Sequence, residues 1–267
     1  MEKKKEVYQL KSFNLWKDSI TNGFAIFGFI SAVVSFWGTS ISGIFNSKAV
    51  SAFITLLILV ISYLFAVFLK WSRTKDHISL RIRGIKVTVC QGDIFKQTGW
   101  KVIGMDDAFS TTDDDAIISH TSLHGKLLRI LRKNNQIDEF KRCVSIGEQT
   151  VPLGSVKIYN DYTLLAWTHL NDDNEAHIKR STYESILRRM WQEISKVYSG
   201  NPIYIPILGD GITRFDELSE KPSPFELIRC MLCTLKTSNV QIKAPVTILI
   251  YDRINEINLY DLKRISE

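Results

Sequence analysis

The sequence is short of the residues that mark several protein classes. Its 267 residues include only 6 Pro and 14 Gly, which excludes a collagen-like or low-complexity chain, and 45% apolar content excludes intrinsic disorder. Four cysteines (Cys90, Cys143, Cys230, Cys233) do not make a secreted disulfide framework and point to a reducing compartment. Cys230 and Cys233 fall on the buried side of a helical pattern. No second Cys/His pair stands where a zinc site needs it, so they read as core thiols and no metal is expected. Positive charge is also thin. Of the net +6, residues 1–18 carry +2 (five Lys against Glu2, Glu6 and Asp18) and Lys48 carries +1. The remaining +3 is scattered over the rest of the chain, too little for a nucleic-acid stripe, and no nucleic-acid partner is expected.

What is present in excess is uncharged, apolar sequence near the start. Residues 19–47 and 49–69 contain no charge, whereas no comparable run follows Lys70. About 20 apolar residues in a helix cross a hydrocarbon core of about 30 Å. Val50–Leu69 matches that length, and Ile20–Trp37 becomes strongly apolar from Phe24 onward. Gly38–Ala49 is polar enough to turn between them, so the sequence predicts a transmembrane hairpin over residues 20–69, with spans at about 20–40 and 49–69. The first run is too long for a cleaved signal peptide and lacks a compact small-residue cleavage site. Lys3, Lys4, Lys5, Lys11 and Lys17 precede the first span; Lys70, Arg73, Lys75, Arg81 and Arg83 follow the second. The positive-inside rule therefore places both termini in the cytoplasm, with a basic tail at 1–19 and the large domain at 78–267 on the same side of a bacterial inner membrane. Small residues at Gly28, Ala32, Ser31 and Ser35 allow close helix approach, either within the hairpin or between copies in a homo-oligomer.

Beyond residue 78 the pattern alternates. Ile85–Cys90, Lys101–Met105, Tyr162–Leu170, Ile203–Leu208 and Val246–Tyr251 read as strands. Ser181–Glu184 and Ser223–Glu226 read as capping boxes, each followed by an apolar helical stripe, and Lys126–Lys133 as a third helix. That order predicts an α/β/α sandwich with a mixed sheet.

Ligands of such sheets bind at the carboxyl ends of strands. Three loops stand there: Gln91–Phe95, Gly104–Phe109 and Leu208–Phe215. Gly92-Asp93-Ile94, the Val102-Ile103 strand and Gly209-Asp210-Gly211-Ile212, in that order, resemble the macro domain, the ADP-ribose-binding module, over about residues 85–260. The resemblance implies that Asp93 accepts a hydrogen bond from the adenine amine, with the Ile94 backbone completing the base contact. Asp93 also suits a turn residue capping its own loop. The resemblance further implies that the amides of Gly209, Asp210, Gly211 and Ile212 cradle the diphosphate, with Leu208, Thr213 and Arg214 also at the ligand and Phe215 against the nucleoside. Asp106, Asp107 and Phe109 then lie toward the distal ribose, and Ser122, Leu123, His124 and Gly125 also contact the ligand. Ser122 between His120 and His124 could suggest nucleophilic chemistry, but it serves equally as a helix cap.

Two departures from the macro pattern bear on activity. The glycine-rich run that hydrolytic members use is replaced by 109–125, and Asp107 stands where the family has the distal-ribose Asn. Arg214 likewise replaces a glycine. These departures imply binding without catalysis, with a membrane-tethered ADP-ribosyl hydrolase or deacylase as the alternative. Together with the hairpin, the Ile117–Gly125 segment and the two glycine loops resemble the membrane-anchored macro-domain effectors of Thoeris anti-phage defence. That likeness implies a nucleotide messenger, histidine-ADP-ribose, made by a TIR-domain enzyme. It also implies assembly of the spans in the lipid bilayer and abortive infection. Asp106, Asp107 and the Asp113-Asp114-Asp115 run are placed to read the extra positive charge of such a messenger; the run also suits a solvated loop.

Overall fold

A computed structural model describes residues 8–38, 40, 47–112, 117–145, 147 and 149–265. The chain divides into two compact units, residues up to Ile78 with Asn255–Arg264, and Ser79–Ile254 with the last residues.

The first unit holds two long helices. α1 (Phe13–Phe36, 24 residues) starts earlier than the apolar run because Ser12 caps it, its hydroxyl accepting from the Leu15 amide at 3.1 Å. α2 (Lys48–Thr74) has 27 residues. At 1.5 Å per residue they measure about 36 and 40 Å, and both are long and apolar enough to cross a membrane. Their outward faces carry exposed Phe24, Phe29 and Phe36 on α1 and Phe53, Leu56, Ile61 and Phe68 on α2. The hydroxyls of Ser19, Ser31, Thr55 and Ser62 donate to carbonyls one turn earlier, so each is satisfied within its own helix. The helices meet at Gly23, where a Cβ would stand 2.9 Å from Tyr63 Cα, whereas nothing approaches Gly28. The close approach inside the chain thus uses Ser19 and Gly23 rather than the Gly28–Ala32 pair. The connection between the helices falls largely outside the described residues. Asn255–Arg264, expected with the large domain, groups with the hairpin: Tyr260 of α7 (Leu259–Leu262) is buried with Leu15 and Val67.

The second unit is built on a nine-stranded mixed sheet. The strands are β1 (His77–Ile82), β2 (Ile85–Gln91), β3 (Trp100–Asp106), β4 (Val156–Tyr159), β5 (Tyr162–Leu170), β6 (Ala176–Lys179), β7 (Ile203–Pro206), β8 (Arg214–Asp216) and β9 (Val246–Ile250). Their order is β1-β2-β9-β7-β3-β5-β6-β8, with β4 pairing β5. β2, β9, β7, β3 and β5 run parallel, and β4 and β6 pair β5 antiparallel. The parallel strands read as near-continuous apolar runs because both faces are covered. Ile103, Met105, Leu164 and Ala166 face α3 (Leu123–Lys133) and α4 (Ile137–Val144), forming one core with Leu127, Leu131 and Phe140. By strand alternation Trp167 points to the other face, edge-on to Tyr183 of α5 (Tyr183–Val197) at 5.5 Å. α5 packs on α6 (Pro224–Thr237), where the Trp191 indole donates to Thr234. The Ser223 capping box forms as expected. The Ser181 box does not: Ser181 donates instead to Glu217, at 3.0 Å from its amide and 3.1 Å from its hydroxyl, and α5 starts at Tyr183 without a side-chain cap.

Candidate functional site

Four parallel strands, β3, β5, β7 and β9, end along one edge of the sheet, and a cavity of about 360 Å³ opens there. Its walls are the ends of β3 (Gly104–Asp106) and β5 (Trp167, Thr168, Leu170), the loop Pro206–Thr213 after β7, and Leu249 with Tyr251–Arg253 after β9. The fourth wall is the start of α3 with the segment leading into it, Ile117–Ser119, Thr121–His124 and Lys126. The N-terminus of a helix presents unpaired amides and a positive partial charge, so this wall favours an anion.

The glycine loop is held from behind. Gly209 takes φ +92°, and a Cβ there would lie 2.8 Å from Phe215 Cζ, so the loop rests on the Phe215 ring. Phe215 in turn leans on Tyr183, whose hydroxyl donates to the Leu208 carbonyl at 2.9 Å. Lys221 donates to the carbonyls of Asp210 (2.7 Å) and Gly211. Burial of Lys221 among these groups lowers its pKa, against the opposing pull of Asp210. The Trp167 indole donates to Thr213 at 3.3 Å, and Arg253 Nη1 reaches Asp210 Oδ1 at 2.9 Å.

The α3 wall is equally constrained. Ser122 caps α3 by accepting from the Gly125 amide at 2.9 Å and donating to Ser119. At Gly125 a Cβ would come within 2.3 Å of the Ser119 carbonyl oxygen, which only glycine tolerates. His124 is buried, and its Nε2 donates to the Ser110 carbonyl at 2.9 Å, since a carbonyl only accepts. Burial lowers the His124 pKa, opposed by Asp106 at 3.8 Å from Nδ1, so the ring is neutral near pH 7 with an accepting Nδ1. Asp106 is committed to the Ala108 and Ser110 amides and the Ser110 hydroxyl.

Of the residues the sequence nominates, Asp106, Ser122, Leu123, His124, Leu208, Gly209, Asp210, Gly211, Ile212 and Thr213 line the cavity. The others stand behind or beside it. Asp93 caps its own short turn, accepting from the Phe95 amide at 3.0 Å, and Ile94 is core. The Asp107 carboxylate turns to His169 Nδ1 at 2.5 Å. Phe109, at φ +51°, is buried beneath Lys157. Gly125 and Phe215 back the two walls, and Arg214 is an exposed partner of Glu175. The Asp113-Asp114-Asp115 run lies outside the described residues. The cations that do line the cavity, Arg253 and Lys126, are not among those the sequence singles out; Lys126 lies 4.8 Å over the Tyr251 ring. The signal for Arg253 is present in the sequence: it follows the carboxyl end of β9, where the strand-end rule places ligands.

A nucleotide-sized cleft at the carboxyl edge of a mixed sheet, with a glycine loop on one side and a helix start on the other, defines a ligand-binding α/β domain of the macro type. The chain belongs to the family described as Thoeris protein ThsA, Macro domain, whose model matches residues 87–251. It is 28% identical over 289 residues to the Thoeris protein ThsA of Bacillus amyloliquefaciens (strain Y2), covering 100% of this chain and 94% of that protein. Among solved structures, a mutant of the Oceanobacillus iheyensis macrodomain is similar with a TM-score of 0.44 and 16% identity, over 71% of this chain and 93% of that one. The Oceanobacillus iheyensis macrodomain with ADP gives a TM-score of 0.42 and 18% identity over 71% and 96%.

Proposed function

We propose that the protein is a ligand-gated membrane effector of Thoeris anti-phage defence. The cavity binds an ADP-ribose-derived messenger, histidine-ADP-ribose, which a TIR-domain enzyme makes during infection. Binding drives the two apolar helices to assemble with those of other copies and breach the bacterial inner membrane, and the infected cell dies before the phage matures. The observation that carries this reading is the pairing, in one chain of this family, of the strand-end cavity with two helices of membrane-crossing length. The cavity volume lies in the range of small-molecule sites. In this reading the ligand diphosphate lies between the Gly209–Thr213 amides and the start of α3, with Arg253 and Lys126 supplying the counter-charge in place of Arg214.

The domain acts as a receptor and not as an enzyme. The glycine-rich run of hydrolytic macro domains is replaced by 109–125, and Asp106 is occupied by its own loop. The test is calorimetry on the full-length protein in lipid nanodiscs, with histidine-ADP-ribose and ADP-ribose as titrants, beside dye release from vesicles. Saturable binding that favours histidine-ADP-ribose, and release only when it is added, is the expected result. Absence of binding to both titrants overturns the reading, and liberation of ADP-ribose from a modified protein favours the membrane-tethered hydrolase instead.

A further inference from the structure

The end of the chain makes a polar clamp on the roots of both long helices. Asp261 Oδ1 accepts from Ser12 Oγ at 2.7 Å and Asn14 Nδ2 at 2.8 Å, which places a carboxylate at the positive end of α1. Asn258 holds the other oxygen at 2.5 Å. One turn further along α1, Asp18 accepts from the Tyr260 hydroxyl at 2.9 Å, with Arg264 3.7 Å away. The Tyr260 ring is buried with Leu15 of α1 and Val67 of α2, and Trp16, Tyr63 and Trp71 pack around them. Lys70 of α2 donates to the Asp18 carbonyl. The lipid-facing parts of the helices need none of these contacts, which all lie at the charged ends.

The residues just before this clamp are cavity wall. Tyr251, Asp252 and Arg253 line the cavity, and Arg253 pairs with Asp210 of the glycine loop. Only a short turn, Ile254–Glu256, and the fully buried Ile257 separate Arg253 from Asn258. A diphosphate carries more charge than a carboxylate and takes a guanidinium bidentately, so it competes with Asp210 for Arg253.

We propose that residues 251–264 form a strap: Asp261 and Tyr260 clamp the roots of α1 and α2 at rest, and a nucleotide diphosphate that draws Arg253 from Asp210 slackens the clamp and frees the helices to assemble. The ligand-driven half of this proposal rests on the function proposed above, whereas the clamp stands on the contacts alone. Each hydrogen bond to a charged group shifts an equilibrium by roughly tenfold or more, so loss of the Asp261 charge should be visible without ligand.

The test uses the full-length protein in vesicles of phosphatidylethanolamine and phosphatidylglycerol loaded with a self-quenching dye. Asp261→Asn, and separately Tyr260→Phe, should raise ligand-free release roughly tenfold. Affinity for histidine-ADP-ribose should tighten, because coupling is reciprocal. Parental, low release from a folded Asp261→Asn protein that still binds histidine-ADP-ribose overturns the strap. Should Asp261→Asn not fold, a Ser12→Cys/Asp261→Cys pair, with Cys143 and Cys233 replaced by Ser, decides it. Oxidised, this protein should bind histidine-ADP-ribose and stay silent, and reduction should restore release; release while cross-linked and ligand-bound refutes the clamp. A parent protein that ignores histidine-ADP-ribose sinks the proposed function, and the ligand-free arm still decides the clamp.

Discussion

The two glycines of the Gly209-Asp210-Gly211 turn look equivalent in sequence and are not equivalent in structure. Gly209 sits at φ +92°, where a side chain costs about 1–2 kcal/mol. A methyl group there would also meet Phe215 Cζ at 2.8 Å. That ring cannot retreat freely, because Phe215 is buried and packed on Tyr183 with 5.4 Å between centroids. Overpacking of this kind costs about 1–3 kcal/mol. Taking the lower half of each range, Gly209→Ala should destabilise the Ser79–Ile254 unit by about 2–3.5 kcal/mol, or about 4–14 °C for a unit of this size. Gly211 has nothing within 4 Å of its missing Cβ, so Gly211→Ala should change stability by less than about 0.5 kcal/mol. The assay is thermal melting of both full-length variants in detergent, followed by tryptophan emission, to which Trp167 reports directly through its bond to Thr213. Equal melting of the two variants would refute the claim that the loop rests on Phe215.

Other consequences can be measured independently. Arg253→Gln should weaken histidine-ADP-ribose binding by roughly tenfold or more in calorimetry. Arg214→Gln should leave it within about twofold, since Arg214 is an exposed partner of Glu175; the reverse ranking would return the role to Arg214. Gly23→Val forces α1 and α2 apart at a point where Cβ meets Tyr63 Cα at 2.9 Å, so ligand-triggered release should fall while ligand affinity is kept. The pKa of His124 is lowered by burial, so its neutral form stabilises the fold above the unfolded value of about 6.5, and that contribution is lost as pH falls below it. His177 has the opposite sign: its bond to Asp216 raises the pKa, so its contribution is full below about 6.5 and fades as pH rises through the elevated value. Melting profiles of His124→Asn and Asp216→Asn over pH 5–8 should flatten at opposite ends, and parallel profiles would contradict the assignment.

Legibility in the sequence followed apolar density. The sequence predicts β5 over Tyr162–Leu170 and the strand forms over those residues, and the Pro224 helix forms with its box, because buried runs and caps are local signals. β6 and β8 carry no such signal: Ala176–Lys179 and Arg214–Asp216 are short and polar, and they are strands through pairing with β5 and with each other. That pairing explains where Arg214 stands. Because Arg214 belongs to β8, opposite His177 in register, its side chain serves the sheet edge beside Glu175. The cavity-lining role falls to Arg253, distant in sequence and adjacent only after β7 and β9 pair. Asp93 and Asp107 are legible as residues, but a one-dimensional pattern does not show that Phe95 and His169 are among the partners of their carboxylates.

The same contacts explain why a loop containing an aspartate can still suit an anion. Left alone, the turn after β7 would present carbonyl oxygens and the Asp210 carboxylate to the cavity as readily as amides. Tyr183 takes the Leu208 carbonyl, Lys221 takes those of Asp210 and Gly211, and before a ligand arrives Arg253 takes the carboxylate. With these carbonyls engaged, what the turn can still offer a ligand is N–H groups other than that of Asp210, which donates to the Ile207 carbonyl, and the turn lines the same cavity as the start of α3. Lys221 is therefore a positioning residue whose charge is spent on the loop, consistent with a pKa lowered by burial. Removing it should cost affinity through the turn's geometry, and Arg in its place should not restore the two carbonyl bonds that a single ammonium makes.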